Sequence, residues 1–144
     1  MYLDNCSVQR PLDSKTHVRI QLEAEAVLGI LELCESGRID LVASEVLEFE
    51  VEKSPIPVRQ EYGLQVLSRA AVFVTVNEQA TKRANELKAR GIRSVDALHL
   101  AAAEEANADY LCTCDDDFLR RARTMGDLRT KVVSPLELIG ELEK

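Results

Sequence analysis

The sequence predicts an α/β fold: a three-layer α/β/α sandwich in which a mainly parallel sheet of about five strands lies between two layers of helices. Short apolar runs alternate with segments of helical periodicity along almost the whole chain. Strands separated by helices need crossover connections, which make a sheet parallel and cover both of its faces. A length of 144 residues suits one such domain, which we expect to span residues 1–144.

The predicted strands are short and consist mostly of apolar, β-branched or aromatic residues. They lie at residues 2–3, 39–43, 72–76, 110–114 and 132–133. In a parallel sheet with helices on both faces, functional groups gather beyond the carboxyl ends of the strands. Residues that directly follow a strand are therefore the first candidates for a functional site.

The predicted helices carry apolar residues three or four positions apart and have recognisable ends. The first carries Ile20, Ala24, Val27, Leu31 and Cys34 and ends at Ser36-Gly37. Of the other predicted helices, one begins after Ser44 and three occupy residues 59–69, 78–90 and 94–106. The last two begin near Phe118 and after Ser134-Pro135. We expect Ser44 and Ser94 to act as N-caps of the helices that follow them.

The composition places the chain among soluble globular proteins, since 46% of the residues are hydrophobic and 30% are charged. No apolar run approaches the ~18 residues of a membrane span, and the chain starts without a secretory signal. We therefore expect a cytoplasmic protein that does not contact a membrane. No cysteines have metal-binding spacing, so we expect all four to be buried apolar side chains: Cys6, Cys34, Cys112 and Cys114.

The formal net charge of −7 is unusual for a protein that binds nucleic acid. A metal site can account for part of the acidity, because bound cations reverse the local charge. Near the C-terminus, twelve residues contain Arg120, Arg121, Arg123, Arg129 and Lys131. This segment is either a surface that binds RNA, with Arg120 and Arg121 as the candidates, or an ordinary solvated helix face.

Several carboxylates follow predicted strands or begin helices. Asp4 comes directly after the first strand, Asp115 to Asp117 follow the fourth, Asp96 lies in a first helical turn, and Glu50 lies in the helix after Ser44. Clustered carboxylates raise each other's pKa and are tolerated mainly where cations neutralise them. Ligands that are all oxygen suit Mg²⁺ or Mn²⁺, and the absence of a His/Cys cluster in the sequence argues against zinc.

Most of these acids also have a structural explanation. Asp115 suits a helix cap, Asp96 a favourable first-turn position, and Glu50 a solvated helix face. Asp4 serves no cap that is identifiable from the sequence. His99 follows Asp96 by one turn and either packs in the core, which is the commoner role for histidine, or hydrogen-bonds within the site.

Four segments resemble the motifs of the PIN domain family in order and spacing. They are residues 2–11, the segment Ser44 to Glu50, the segment Val95 to Ala103 and the segment Ala108 to Phe118. In the family motif the second acid follows a serine by six residues, so the spacing from Ser44 selects Glu50 over Glu48. The chain departs from many relatives after its first acid: Asn5 and Cys6 stand where those carry Thr or Ser and then Asn, with Ser7 beyond.

The resemblance implies a ribonuclease that hydrolyses RNA phosphodiesters with Mg²⁺ or Mn²⁺, the ion lowering the pKa of the attacking water. The implied catalytic residues are Asp4, Glu50, Asp96 and Asp115. Of these, Asp4, Asp96 and Asp115 bind metal, Asp117 completes a second metal site, and Ser7 and Thr113 support the ligands by hydrogen bonds. It also implies a VapC-type toxin held inactive by a small antitoxin protein, and a homodimer.

Two other classes of protein are alternatives. One is a PIN-fold module that binds nucleic acid or protein and cleaves little or not at all. The other is a phosphatase or phosphoacceptor protein, which also places an Asp after its first strand. Haloacid-dehalogenase phosphatases carry a second Asp two residues later, where this chain has Cys6. Receiver domains need an N-terminal acidic pair and a late lysine, and neither is present.

Overall fold

The sheet of the computed structural model, which describes residues 1–143, contains five strands, and every strand pair is parallel. The strands are β1 (Tyr2–Leu3), β2 (Val42–Ser44), β3 (Val72–Val74), β4 (Tyr110–Cys112) and β5 (Lys131–Val133). Their order across the sheet is β3-β2-β1-β4-β5. The shortest strand therefore lies at the centre, where β2 and β4 flank it.

Eight helices connect and cover these strands in the described part of the chain. They are α1 (Asn5–Gln9), α2 (Val18–Glu35), α3 (Glu45–Lys53), α4 (Pro57–Leu67), α5 (Glu78–Ala89), α6 (Ser94–Glu105), α7 (Asp116–Arg123) and α8 (Pro135–Leu142). A 3₁₀ turn at Arg10–Leu12 follows α1. The predicted α/β fold with a parallel sheet is confirmed.

Two hydrophobic clusters lie on opposite faces of the sheet, because successive strand residues point to opposite sides. In β1, Tyr2 joins the cluster formed with α5, α6 and α7, whereas Leu3 joins the cluster formed with α2, α3, α4 and α8. The same alternation divides Leu111 and Cys112 of β4 between the two clusters. The three layers are thus fixed by residues of the central strands.

The register brings the ends of the central strands together. Tyr2 is opposite both Val42 and Leu111, and the backbone N–H of Asp4 donates to the Cys112 carbonyl at 3.2 Å. Residues that follow β1, β2 and β4 therefore emerge at one edge of the sheet.

Strands β2, β3 and β4 are shorter than predicted, whereas β1 has the predicted bounds and β5 begins one residue earlier, at Lys131. Ser44 ends β2 and caps α3, accepting from the Leu47 N–H at 3.2 Å. The short polar helix α1 was not predicted, since five residues show no periodicity. The prediction that Ser94 caps its helix was wrong: Ser94 is the first helical residue, and Arg93 at the N-cap makes no side-chain cap bond.

The prediction that all four cysteines are buried was wrong in part. Cys112 and Cys114 are buried, but Cys34 is half-buried and Cys6 is exposed, because it lies in the first turn of the unpredicted α1.

Among residues 1–143, none of the helices combines the length and apolar character needed to cross a membrane. The cytoplasmic location stays a prediction.

Gly63 allows α4 to approach α3, the helix that carries Glu50. A Cβ atom at Gly63 would lie 2.6 Å from Cγ1 of the buried Val51. We therefore expect Gly63→Ala to lower the free energy of unfolding by about 1–3 kcal/mol in urea denaturation. The control is Gly29→Ala, where nothing lies within 4 Å of the added atom. Equal stability of the two variants would contradict this close packing.

Candidate active site

A pocket of about 400 Å³ opens beside the residues that follow β1 and β4. Four of the predicted site acids line it together: Asp4, Glu50, Asp96 and Asp115. Arg59 is the only arginine or lysine that lines it within the described part of the chain. The structure thus brings the predicted acids into one strongly acidic pocket.

Asp4 occupies the N-cap of α1, where its Oδ1 accepts from the Ser7 N–H at 3.1 Å and from the Cys6 thiol at 3.1 Å. This cap could not be identified from the sequence, because α1 itself was not predicted. The carboxyl group is only 3% exposed. Burial raises its pKa, and hydrogen bonds, foremost from Thr113, together with the positive potential of His99 oppose that shift.

Asp115 caps a second helix at the same edge of the sheet. Its Oδ1 accepts from the N–H groups of Asp117 at 2.9 Å and Phe118 at 3.3 Å. Its own N–H donates to Thr113 Oγ1 at 3.1 Å. Asp115 is therefore both a helix cap and a pocket residue.

Two buried hydroxyl groups lie beneath the acids. Thr113 Oγ1 is 3.5 Å from the Cys6 thiol and also holds the backbone of Asp115. Ser7 Oγ donates to the Cys112 carbonyl at 3.0 Å and ties α1 to β4. Both contacts fix the backbone that carries Asp4 and Asp115, and the supporting role of Ser7 and Thr113 stays a prediction.

Asp96 lies in the first turn of α6 and is half-buried. Its pKa is raised to about 6, first by burial and then by the negative charges of Asp4 and Asp115. Like charges shift a pKa appreciably only over short distances. The three aspartates therefore repel one another across the pocket.

Glu50 reaches the pocket from the side of α3 and meets His99. His99 Nε2 is hydrogen-bonded to Glu50 Oε1, and its Nδ1 lies 2.5 Å from the Tyr2 hydroxyl. The imidazole is 1% exposed, so the favoured interpretation of His99 as a packing residue was incomplete. The one-turn spacing from Asp96 was the signal that could have identified it. No sequence signal pointed to Tyr2, whose contact with His99 spans 97 residues.

Asp117 does not line the pocket with the other predicted ligands. Its carboxylate pairs with Arg121 Nε at 2.9 Å, with Arg120 and with Arg93 at 3.5 Å. These contacts, above all the bond from Arg121, lower the pKa of Asp117. They also neutralise part of the charge of Arg120 and Arg121. The roles of Asp117 in metal binding and of the two arginines in RNA binding stay predictions.

The donor chemistry of the pocket fits a hard divalent cation, which prefers carboxylate oxygens and would relieve the repulsion among the aspartates. Among residues 1–143, however, no three His, Cys, Asp or Glu side chains already lie close enough to hold one ion. A cation bound here would therefore take part of its coordination from water or substrate, as Mg²⁺ usually does.

The family model described as PIN domain matches residues 12–124. The matched segment includes Glu50, Asp96 and Asp115, and Asp4 lies before it. No curated protein matches the sequence.

Two solved structures are similar in fold to this chain. One is FitAcB from Neisseria gonorrhoeae, with 15% identity, a TM-score of 0.59, and coverage of 94% of this chain and 97% of that one. The other is VapBC2 from Rickettsia felis, bound to a DNA fragment from its promoter, with 18% identity, a TM-score of 0.59, and coverage of 92% and 96%. At these identities the likeness concerns the fold alone.

The raised pKa values predict how the metal-free protein responds to pH. Asp96 has a folded pKa of about 6, above the ~3.9 of an unfolded chain. The contribution of Asp96 to the free energy of unfolding is therefore complete below pH ~4 and is lost as the pH rises through about 6. The raised pKa of Asp4 changes the stability in the same direction. With EDTA present, we expect the free energy of unfolding to fall on the order of 1–2 kcal/mol between pH 5 and 7, after allowance for solvent screening.

Urea denaturation across this range measures the effect. Asp96→Asn should flatten the pH dependence, whereas Asp116→Asn, at an exposed position outside the pocket, should leave it unchanged. A wild-type profile that is flat from pH 5 to 7 would show that the carboxylates do not repel one another.

Proposed function

The chain belongs to the PIN domain family, and we propose that it is a divalent-metal-dependent endoribonuclease that hydrolyses RNA phosphodiesters. Membership of this family supports a nuclease, and the likeness in fold to FitAcB and VapBC2 supports one of the toxin–antitoxin type. The observation that carries the proposal is the convergence of Asp4, Glu50, Asp96 and Asp115 in one pocket. Burial and, after it, the negative charges of Asp4 and Asp115 raise the pKa of Asp96, and a divalent cation would relieve the repulsive part of that environment.

In this proposal Asp4, Asp96 and Asp115 hold Mg²⁺ or Mn²⁺ together with water, because the three carboxylates do not already surround one point. The bound ion supplies a Lewis acid that lowers the pKa of water and offsets charge on the phosphate. Asp4 and Asp115 each use Oδ1 to cap a helix, so their carboxylates have fixed orientations before an ion arrives. Glu50, held by His99, orients the attacking water and accepts its proton.

Arg59 is the residue we propose to contact the substrate phosphate within the pocket. Its side chain is 25% exposed and pairs with Asp13 at 2.8 Å. It also donates to the Leu12 carbonyl at 3.4 Å, which holds the guanidinium at the pocket wall. Arg120 and Arg121 remain candidates for RNA contacts outside the pocket. Asp117 remains a candidate ligand of a second metal ion, which it could bind once the two arginines contact RNA instead of its carboxylate.

A protein partner is supported by the surface around the pocket. The exposed Phe49 and Val95 line one hollow with Glu50, and Ile56 and Val58 are exposed at the start of α4. Exposed apolar patches are typical of protein interfaces. Together with the likeness to VapBC2, this surface supports a VapC-type toxin that a small antitoxin restrains, and a homodimer through part of the same surface.

One observation favours a different function, a PIN-fold module that binds nucleic acid or protein with little or no cleavage. The described residues contain no three ligating side chains already placed around one point. A binding module needs neither a closed metal site nor turnover.

Cleavage of single-stranded RNA distinguishes the two functions. We expect cleavage with Mg²⁺ or Mn²⁺ and none with EDTA. Asp96→Asn should lower the rate by more than ~100-fold, beyond the usual cost of losing a residue outside the ligand shell. Asp116→Asn is the matched control, because Asp116 is exposed and pairs with Arg19 rather than lining the pocket.

Cleavage that persists in EDTA would contradict the proposed chemistry. Equal rates for Asp96→Asn and the wild type would contradict the assigned site. A metal-saturated wild type that binds RNA without cleaving it would establish the binding module instead.

A further inference from the structure

We propose that Ser44, Tyr2 and His99 form a hydrogen-bonded chain that positions the Glu50 carboxylate for the reaction. Tyr2 and His99 are then positioning residues, which act through Glu50 and not on the substrate. This inference rests on the proposed nuclease function, and it assigns a task to two buried residues that metal binding does not use.

The chain is continuous from the backbone to the pocket. The Leu47 N–H donates to Ser44 Oγ at 3.2 Å, and Ser44 Oγ lies 2.7 Å from the Tyr2 hydroxyl. That hydroxyl lies 2.5 Å from His99 Nδ1, and His99 Nε2 meets Glu50 Oε1. Ser44, Tyr2 and His99 are 0%, 0% and 1% exposed, so water does not compete for these bonds.

The hydrogen-bonding capacity of each group fixes the last bond of the chain. The Tyr2 hydroxyl carries its proton near pH 7, as an ordinary phenol does, and so can donate one hydrogen bond. Either Ser44 donates to Tyr2 and Tyr2 donates to Nδ1, or Nδ1–H donates to Tyr2 and Tyr2 donates to Ser44, in which case the ring carries protons on both nitrogens. A carboxylate only accepts, so in both arrangements Nε2 carries a proton and donates it to Glu50.

The bond from His99 orients Glu50, whereas Asp4 and Asp115 are oriented by other contacts. Asp4 and Asp115 are held by backbone N–H groups at helix caps. Glu50 lies in the sixth position of α3, where backbone N–H groups are already bonded within the helix. His99 is the group that holds its carboxylate towards the pocket.

The arrangement also differs from that of a histidine that only packs. A packing role needs no particular partner for both ring nitrogens, and one of these partners is a half-buried pocket acid. The Tyr2 and His99 rings meet edge to face, with centroids 5.4 Å apart and planes at 62°. Ring contact and hydrogen bonds together fix the direction of Nε2.

Kinetics of purified protein test the positioning role. Tyr2→Phe keeps the ring and removes the hydroxyl, and we expect kcat for RNA cleavage to fall ~10-fold, with KM and the Kd for Mn²⁺ unchanged. The kcat of His99→Leu should fall at least as far, whereas His99→Gln should keep part of the wild-type rate because its amide can still donate to Glu50. The control is Tyr110→Phe, which loses a hydroxyl bonded to Glu141 at 3.3 Å, outside the pocket.

Nuclear magnetic resonance of the imidazole nitrogens tests the chain without any activity. The protein has two histidines, so comparison with the His17→Asn variant assigns the resonances of each ring. In EDTA we expect a slowly exchanging Nε2 proton on His99. Glu50→Ala should shift that proton, Tyr2→Phe should shift the Nδ1 resonance, and Tyr110→Phe should change neither.

An unprotonated Nε2 on His99, or a Tyr2→Phe variant that cleaves at the wild-type rate, would overturn the inference. A fall in Mn²⁺ affinity that matches the fall in kcat would overturn it as well, since the hydrogen-bonded chain would then act through metal binding. If the wild type shows the bonded Nε2 proton but does not cleave RNA, the proposed function fails while the hydrogen-bonded chain stands.

Discussion

Repulsion among the carboxylates that share one partly buried pocket is the constraint on which the rest of this structure depends. Burial and the neighbouring charges of Asp4 and Asp115 raise the pKa of Asp96 to about 6. The neighbouring strands β1 and β4 place Asp4 and Asp115 at one sheet edge, and α6 brings Asp96 to the same pocket. Packing on both faces of that sheet then holds the charges together although they repel. Such an arrangement stores electrostatic free energy that a bound cation would release.

Three of the four acids stay in place because each is tied to a rigid element. Asp4 and Asp115 cap α1 and α7 through Oδ1, and Glu50 is bonded to the buried His99. Capping and function are therefore not alternatives for these residues. A cap fixes the side chain, and a fixed side chain makes a better ligand, because little orientation remains to be lost when an ion binds.

Much of the fold and most of the pocket could be predicted from the sequence, because both follow from local patterns. Alternating strands and helices predict a parallel sheet, and an acid directly after a strand lies at its carboxyl end, as Asp4 and Asp115 do. The pairing of Asp117 with Arg120 and Arg121 was also predictable, since residues three and four apart on a helix are neighbours. The contact of Tyr2 with His99 was not, because it spans 97 residues and depends on how α6 packs on β1. Helix α1 escaped prediction because a five-residue helix shows no periodicity.

Thermal melting of the wild type and Asp4→Asn, with and without Mg²⁺, tests most directly whether the pocket is a metal site built from repelling carboxylates. Asn retains the helix cap and removes a buried charge, so the metal-free variant should be at least as stable as the wild type. At an Mg²⁺ concentration about 100-fold above Kd, the wild-type Tm should rise by roughly 5 to 10 °C, and that of the variant much less. A variant that is less stable without metal and gains as much from Mg²⁺ as the wild type would contradict this account of the site.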